Sequence, residues 1–236
     1  MVELLYQFIF GFRKRSHVTR EHLHAYCLGL DIVGYSKHTT DVQRRMVTQV
    51  QEVIEKSPAV KSVSRSNLVF LPTGDGMIIC LLGGEDTPLI ILQLAEHLQC
   101  VLRKRNKEAG QQDEEIILRM GIHSGTGSSY IDINGNINIA GTVANMTQRV
   151  TAFGEDWHII ASKNAFDDIA TLEKKCQKLF HRIGFGEAKH KVLIEVYNVY
   201  CLDKEPFGNP ETPIGIQDAG QGAPTHTDKN AQTGVS

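Results

Sequence analysis

With 236 residues, the chain has room for one folded core of about 180 to 200 residues plus extensions. A hydrophobic fraction of 41% and a formal net charge of −2 describe an ordinary soluble chain, excluding both a basic nucleic-acid binder and a disordered polymer. The five cysteines (Cys27, Cys80, Cys100, Cys176 and Cys201) form an odd set without a CxxC pair, so no disulfide framework or cysteine zinc site is expected, and a cytoplasmic, reducing setting follows.

Residues 1–21 are expected to be an N-terminal extension, with Leu4, Leu5, Phe8, Ile9 and Phe12 ahead of Arg13, Lys14 and Arg15. The apolar stretch is shorter than the roughly 20 residues of a membrane span, and its charges follow rather than precede it. A packing or dimer-contact helix is therefore expected, not a membrane contact.

The short apolar run from His22 to Leu30 reads as a strand ending at Asp31. A loop leads into a helix from Thr40, where Thr40 and Gln43 suggest a capping box and Val42, Met46, Val50, Val53 and Ile54 recur at helical spacing. Asn67–Leu71 and Met77–Leu82 flank a Pro-Thr-Gly turn with Asp75 at its exit, a hairpin pattern. Thr87-Pro88 opens a second helix whose buried stripe is Ile91, Leu94, Ala95, Leu98 and Leu102.

Glu115–Ile122 reads as a strand, and an Asn134-Gly135 turn joins Ser128–Ile133 to Asn136–Ile139 as a hairpin. Helices over Thr142–Ala152 and Lys163–Leu172 alternate with strands at Trp157–Ala161, Leu179–Ile183 and Val192–Cys201. Helices mixed with antiparallel hairpins predict an α+β core over 22–203. Residues 204–236 hold most of the prolines without apolar periodicity and are expected to be a disordered tail.

Asp31 begins the stretch Asp-Ile-Val-Gly-Tyr-Ser, in which a tight turn at Gly34 presents backbone N–H groups suited to phosphate. Asp75 lies between glycines in Thr73-Gly-Asp-Gly. Two carboxylates at neighbouring strand ends make an oxygen site for Mg²⁺ or Mn²⁺ shared with a triphosphate. Asn145 and Arg149, four residues apart, put an amide and a guanidinium on one helix face. His123 has no second histidine at metal spacing and is expected to be structural.

Asp31-Ile-Val-Gly-Tyr-Ser, Thr-Gly-Asp75-Gly, Arg119-Met-Gly-Ile-His-Ser-Gly and Gly141-x-x-x-Asn145-x-x-x-Arg149 resemble the four motifs of class III adenylate and guanylate cyclases, in the same order. The resemblance covers about Tyr26 to Leu202. It implies the ferredoxin-like class III cyclase fold, with a central, mostly antiparallel sheet flanked by helices. It also implies that Asp31, Asp75 and the Ile32 carbonyl hold two divalent metal ions, Mn²⁺ or Mg²⁺. Gly34, Tyr35, Ser36 and Arg119 would then bind the β- and γ-phosphates of a nucleoside triphosphate, with Lys191 nearby. Asn145 would orient the ribose, and Arg149 would stabilise charge at the α-phosphate. In such cyclases the carboxylates come from one subunit and the Asn and Arg from the other, so a homodimer would form two sites.

Purine-using relatives place a Lys or Glu four residues before the second metal Asp, and an Asp, Thr or Cys three residues before the Gly of the last motif. Here those positions hold Leu71 and Asn138, and a leucine cannot hydrogen-bond a base edge. This departure resembles the short bacterial antiphage (Pycsar) cyclases that make cyclic UMP or cyclic CMP, which implies a pyrimidine substrate, UTP preferred over CTP, with cyclic UMP as product. Tyr26 is a further candidate for the base pocket. The alternatives are an adenylate cyclase with atypical base recognition and a catalytically dead nucleotide-sensing module.

Overall fold

The computed structural model describes residues 21–84, 87–109, 115–203 and 206–217. The expected N-terminal helix lies outside them. Among the described residues the strands are β1 (Leu23–Ile32), β2 (Leu68–Pro72), β3 (Gly76–Leu82), β4 (Leu118–Ile131), β5 (Ile137–Ala140), β6 (Ile159–Ser162), β7 (Phe180–Ala188), β8 (Val192–Val199) and β9 (Ile216–Gln217). They join in the order β2-β3-β1-β4-β6-β8-β7-β9, with β5 folded back on β4 as a hairpin. Only the β4–β6 pairing is parallel, so the sheet is mostly antiparallel, as the sequence predicts.

The helices are α1 (Thr40–Lys56), α2 (Pro58–Lys61), α3 (Thr87–Glu108), α4 (Thr142–Thr151) and α5 (Lys163–Leu172). Alternation along β1 sorts the two faces of the sheet. Leu28, Leu30 and Ile32 enter the larger core with Met46, Val50 and Ile54 of α1, Leu94 and Leu98 of α3, and Ile169 of α5. Ala25 and Cys27 point the other way, into a smaller core shared with Ile139 of β5 and Val143 of α4.

Among the described helices α4 alone packs on its face, and two glycines let it come close. Gly29 and Gly121 are register partners on β1 and β4. A Cβ at Gly29 would meet Thr147 Cγ2 at 3.0 Å, and one at Gly121 would stand 2.6 Å from Thr151 Cα, so α4 rests on bare backbone.

Three sequence expectations are corrected. The Thr40–Gln43 capping box does not form: Thr39 is the N-cap, and the Gln43 amide instead donates to the Tyr35 carbonyl at 3.1 Å. Cys27 and Cys80 are opposite each other in the β1–β3 register, with Cα atoms 4.2 Å apart, and they form a disulfide. Pairing across two strands is a matter of register, which cysteine spacing does not reveal.

The third correction concerns the expected tail, whose described part, 206–217, is bound to the core. Phe207 is buried, the Gln99 side chain accepts from Gly208 N, and Arg103 donates to the Gly208 carbonyl at 2.9 Å. Asn198 and His158 bond the Glu211 carbonyl, and β9 adds to β7. Hydrophobic periodicity misses this segment because polar side chains hold it. No described helix is long and apolar enough to cross a membrane.

Gly121→Ala drives a methyl into the backbone of α4, an overpacking expected to cost about 1–3 kcal/mol. Thermal melts should show Tm lower by several degrees; an unchanged Tm would mean that α4 does not sit this close to the sheet.

Candidate active site

Strand β1 ends where the chain must turn toward α1. Gly34, at φ 72°, takes the left-handed conformation and starts a one-turn 3₁₀ helix over Tyr35–Lys37, closed by Lys37 N donating to the Gly34 carbonyl at 2.9 Å. The β2–β3 turn is closed by Thr73 N donating to the Gly76 carbonyl at 3.0 Å. The two turns are tied together, because Ile32 N donates to the Asp75 carbonyl at 3.1 Å.

Asp31 and Asp75 consequently face one cavity of about 270 Å³, lined also by Thr73, Arg119, Gln148 and Thr151. Arg119 is the register partner of Asp31 on β4, and its Nε and terminal nitrogen both reach Asp31 Oδ2 at 2.6 Å. The Asp31 carboxyl is 17% exposed, and its burial pushes its pKa above the ordinary carboxylate range. Arg119 opposes that shift, and the nearby Asp75 carboxylate adds to it.

Two hard oxygen donors side by side, with the negative charge only partly offset by one guanidinium, suit a divalent cation. Among the described residues no cluster of three or more His, Cys, Asp or Glu side chains exists to enclose a metal. Two carboxylates alone leave most positions around such a cation to other ligands.

Not every expected site residue reaches this cavity. Asn145 is exposed and Arg149 half-buried on α4, and neither lines it. The α4 residues that do are Gln148, Thr151 and Ala152. Gln148 was not singled out from the sequence, although it adjoins Arg149 in the last motif. Lys191 is exposed between β7 and β8, in a 3₁₀ turn with φ 57°.

Leu71 and Asn138 line a second cavity, of about 460 Å³, with Arg65, Phe70, Asp132 and Ile137. Tyr26 does not. It points to the opposite face of the sheet, against the larger core, and stands edge-on to His24 at 4.9 Å. Burial and the Asp168 charge push its hydroxyl pKa up. Its assignment to the base pocket is thereby corrected.

His123 is structural, as expected. It is buried, bonded to Ser162 Oγ at 2.8 Å, and pushed down to about 4 by burial, with His24 adding to the shift.

No family model and no curated protein matches the chain. Solved structures do. The guanylate cyclase domain of RhGC from Catenaria anguillulae, in complex with GTP, aligns at TM-score 0.59 and 17% identity, over 75% of this chain and 96% of that one. The adenylyl cyclase CyaB from P. aeruginosa aligns at TM-score 0.61 and 14% identity, over 80% and 99%. The guanylyl cyclase Cya2 aligns at 0.61 and 15%, over 83% and 98%. The chain thus has the fold of class III adenylyl and guanylyl cyclase catalytic domains, as the four motifs imply.

A carboxyl with a raised folded pKa penalises the native state once pH exceeds that pKa, so removing its charge should not weaken the fold. Asp31→Asn is expected to keep Tm within about 3 °C of the parent while Mn²⁺ binding, followed by calorimetry, is lost. A fall of more than about 6 °C would mean that the Arg119 ion pair outweighs the burial penalty.

Proposed function

We propose that this chain is a nucleotidyl cyclase that converts a nucleoside triphosphate, preferentially UTP, into its 3′,5′-cyclic monophosphate and pyrophosphate. The observation that carries this reading is the convergence of Asp31 and Asp75 on one cavity, held together by the Ile32–Asp75 backbone bond. The bond that forms joins the ribose 3′-oxygen to the α-phosphorus, the bond to the bridging oxygen breaks, and the hydroxyl proton passes to water.

Asp31, Asp75 and the Ile32 carbonyl would hold two divalent ions, Mg²⁺ or Mn²⁺, which supply acidification of the 3′-hydroxyl and countercharge for pyrophosphate. Backbone N–H groups at Gly34, Tyr35 and Ser36 meet the β- and γ-phosphates. Arg119 exchanges its Asp31 partner for phosphate oxygens, and Lys191, which lies off the chain's own cavity, would add a positive charge from a second copy. Asn145 and Arg149 lie off this cavity, so they serve the site of a second copy, orienting the ribose and stabilising charge at the α-phosphate. The working unit is then a homodimer with two shared sites.

The preference for a pyrimidine rests on Leu71 and Asn138, which line one cavity and leave the purine-reading position apolar. A cyclic pyrimidine nucleotide made by the chain would act as a second messenger, the antiphage signal that the resemblance implies. Incubating the full chain with each of the four ribonucleoside triphosphates and Mn²⁺, with products separated by chromatography, should give cyclic UMP as the main product and none with Asp75→Asn. Cyclic AMP as the main product would overturn the pyrimidine preference. Release of no pyrophosphate from any nucleotide would overturn the enzyme reading in favour of a nucleotide-sensing module.

A further inference from the structure

We propose that Arg65 is a specificity-determining residue that makes the base cavity select a keto base over an amino base. The inference rests on the reading above that the cavity beside Leu71 and Asn138 holds the base. Arg65 belongs to a 3₁₀ turn over Arg65–Asn67 that leads into β2, six residues before Leu71. Its side chain lines the cavity together with Leu71 and Asn138, with its guanidinium carbon 4.7 Å from the centre of the Phe70 ring. That aromatic contact limits where the guanidinium goes and leaves its N–H groups available. Among the described residues no ion pair or hydrogen bond takes them up.

Of the other polar side chains lining the cavity, Asp132, Asn134, Asn136 and Asn138, two have an acceptor oxygen already committed. Asn138 Oδ1 accepts from Ile139 N at 2.7 Å, so the amide turns its NH₂ outward. Asp132 Oδ1 accepts from Asn134 N at 2.8 Å and Asn136 N at 2.9 Å within its own hairpin. A guanidinium offers donors only, and the Asn138 amide lines the same cavity. Such a wall pairs with carbonyl oxygens. Uracil presents O4 where cytosine presents an amino group, and guanine presents O6 where adenine presents an amino group. An amino group facing Arg65 would put donor against donor. Leu71 leaves an apolar surface for the ring, and Arg65 supplies the polar discrimination that the leucine cannot.

The test is calorimetry on the full chain with Mn²⁺ and the 3′-deoxy forms of UTP, CTP, GTP and ATP, which lack the attacking hydroxyl and report binding alone. The parent is expected to bind each keto nucleotide roughly tenfold more tightly than its amino counterpart, the discrimination of one good base-edge contact. In Arg65→Ala that ratio should fall to about one to two, Arg65→Lys should keep part of it, and Tm should stay unchanged because the side chain is exposed. An unchanged ratio in Arg65→Ala, a parent that prefers the amino partners, or no binding of any nucleotide would overturn the assignment. Tighter binding of purines than pyrimidines, with the keto preference intact and lost in Arg65→Ala, would instead overturn only the pyrimidine reading.

Discussion

Asp31 lies on β1 between two register partners, Gly76 of β3 and Arg119 of β4, and the rest of the site is arranged around that placement. On the β3 side a Cβ at Gly76 would stand 3.0 Å from Asp31 Cα, so only glycine lets the strands close there. That closure brings the Asp75 carbonyl to Ile32 N and the two carboxylates to one cavity. On the β4 side Arg119 supplies the positive charge that a half-buried carboxylate needs. The compensation is incomplete, because burial and the neighbouring Asp75 still disfavour the charged form. Such a site keeps an electrostatic penalty that a bound cation would relieve, and the surrounding sheet holds it in place.

The second constraint is the seat of α4. Gly29 and Gly121 remove two side chains from the sheet, and Thr151 drops onto the exposed backbone. Gln148 and Thr151 then line the carboxylate cavity, whereas Asn145 and Arg149 do not. Close packing fixes which face of α4 is inward. The polar pair of the last motif therefore lies off the cavity of the chain's own Asp31, and the proposed homodimer would place it in the site of a second copy.

Much of this was legible in the sequence because apolar periodicity marks elements directly. Helix α5 runs over the predicted residues, and the motif carboxylates converge. Strand register was not legible, and it accounts for the Cys27–Cys80 pair and for Arg119 lying opposite Asp31. Strand parity alone separates Tyr26 from the site. It lies five residues before Asp31 on one strand, an odd separation that puts the two on opposite faces. The packing of 206–217 depends on Gln99, Arg103, His158 and Asn198, whose bonds to it reach as far as 109 residues along the chain. Arg65 belongs to no motif and becomes visible only when the β2 edge and the β4–β5 hairpin enclose a common cavity.

Complementation between two inactive variants tests the shared site most directly. Asp75→Asn removes a carboxylate from one half-site, and Arg149→Ala removes the guanidinium from the other. Mixed in equal amounts and allowed to exchange subunits, they form heterodimers in which one of the two sites is intact. Cyclic nucleotide production is expected to return to about a quarter of the parental rate, from statistical pairing of a two-fold dimer. A mixture as inactive as its two components would contradict a site assembled from Asp31 and Asp75 of one copy and Asn145 and Arg149 of another.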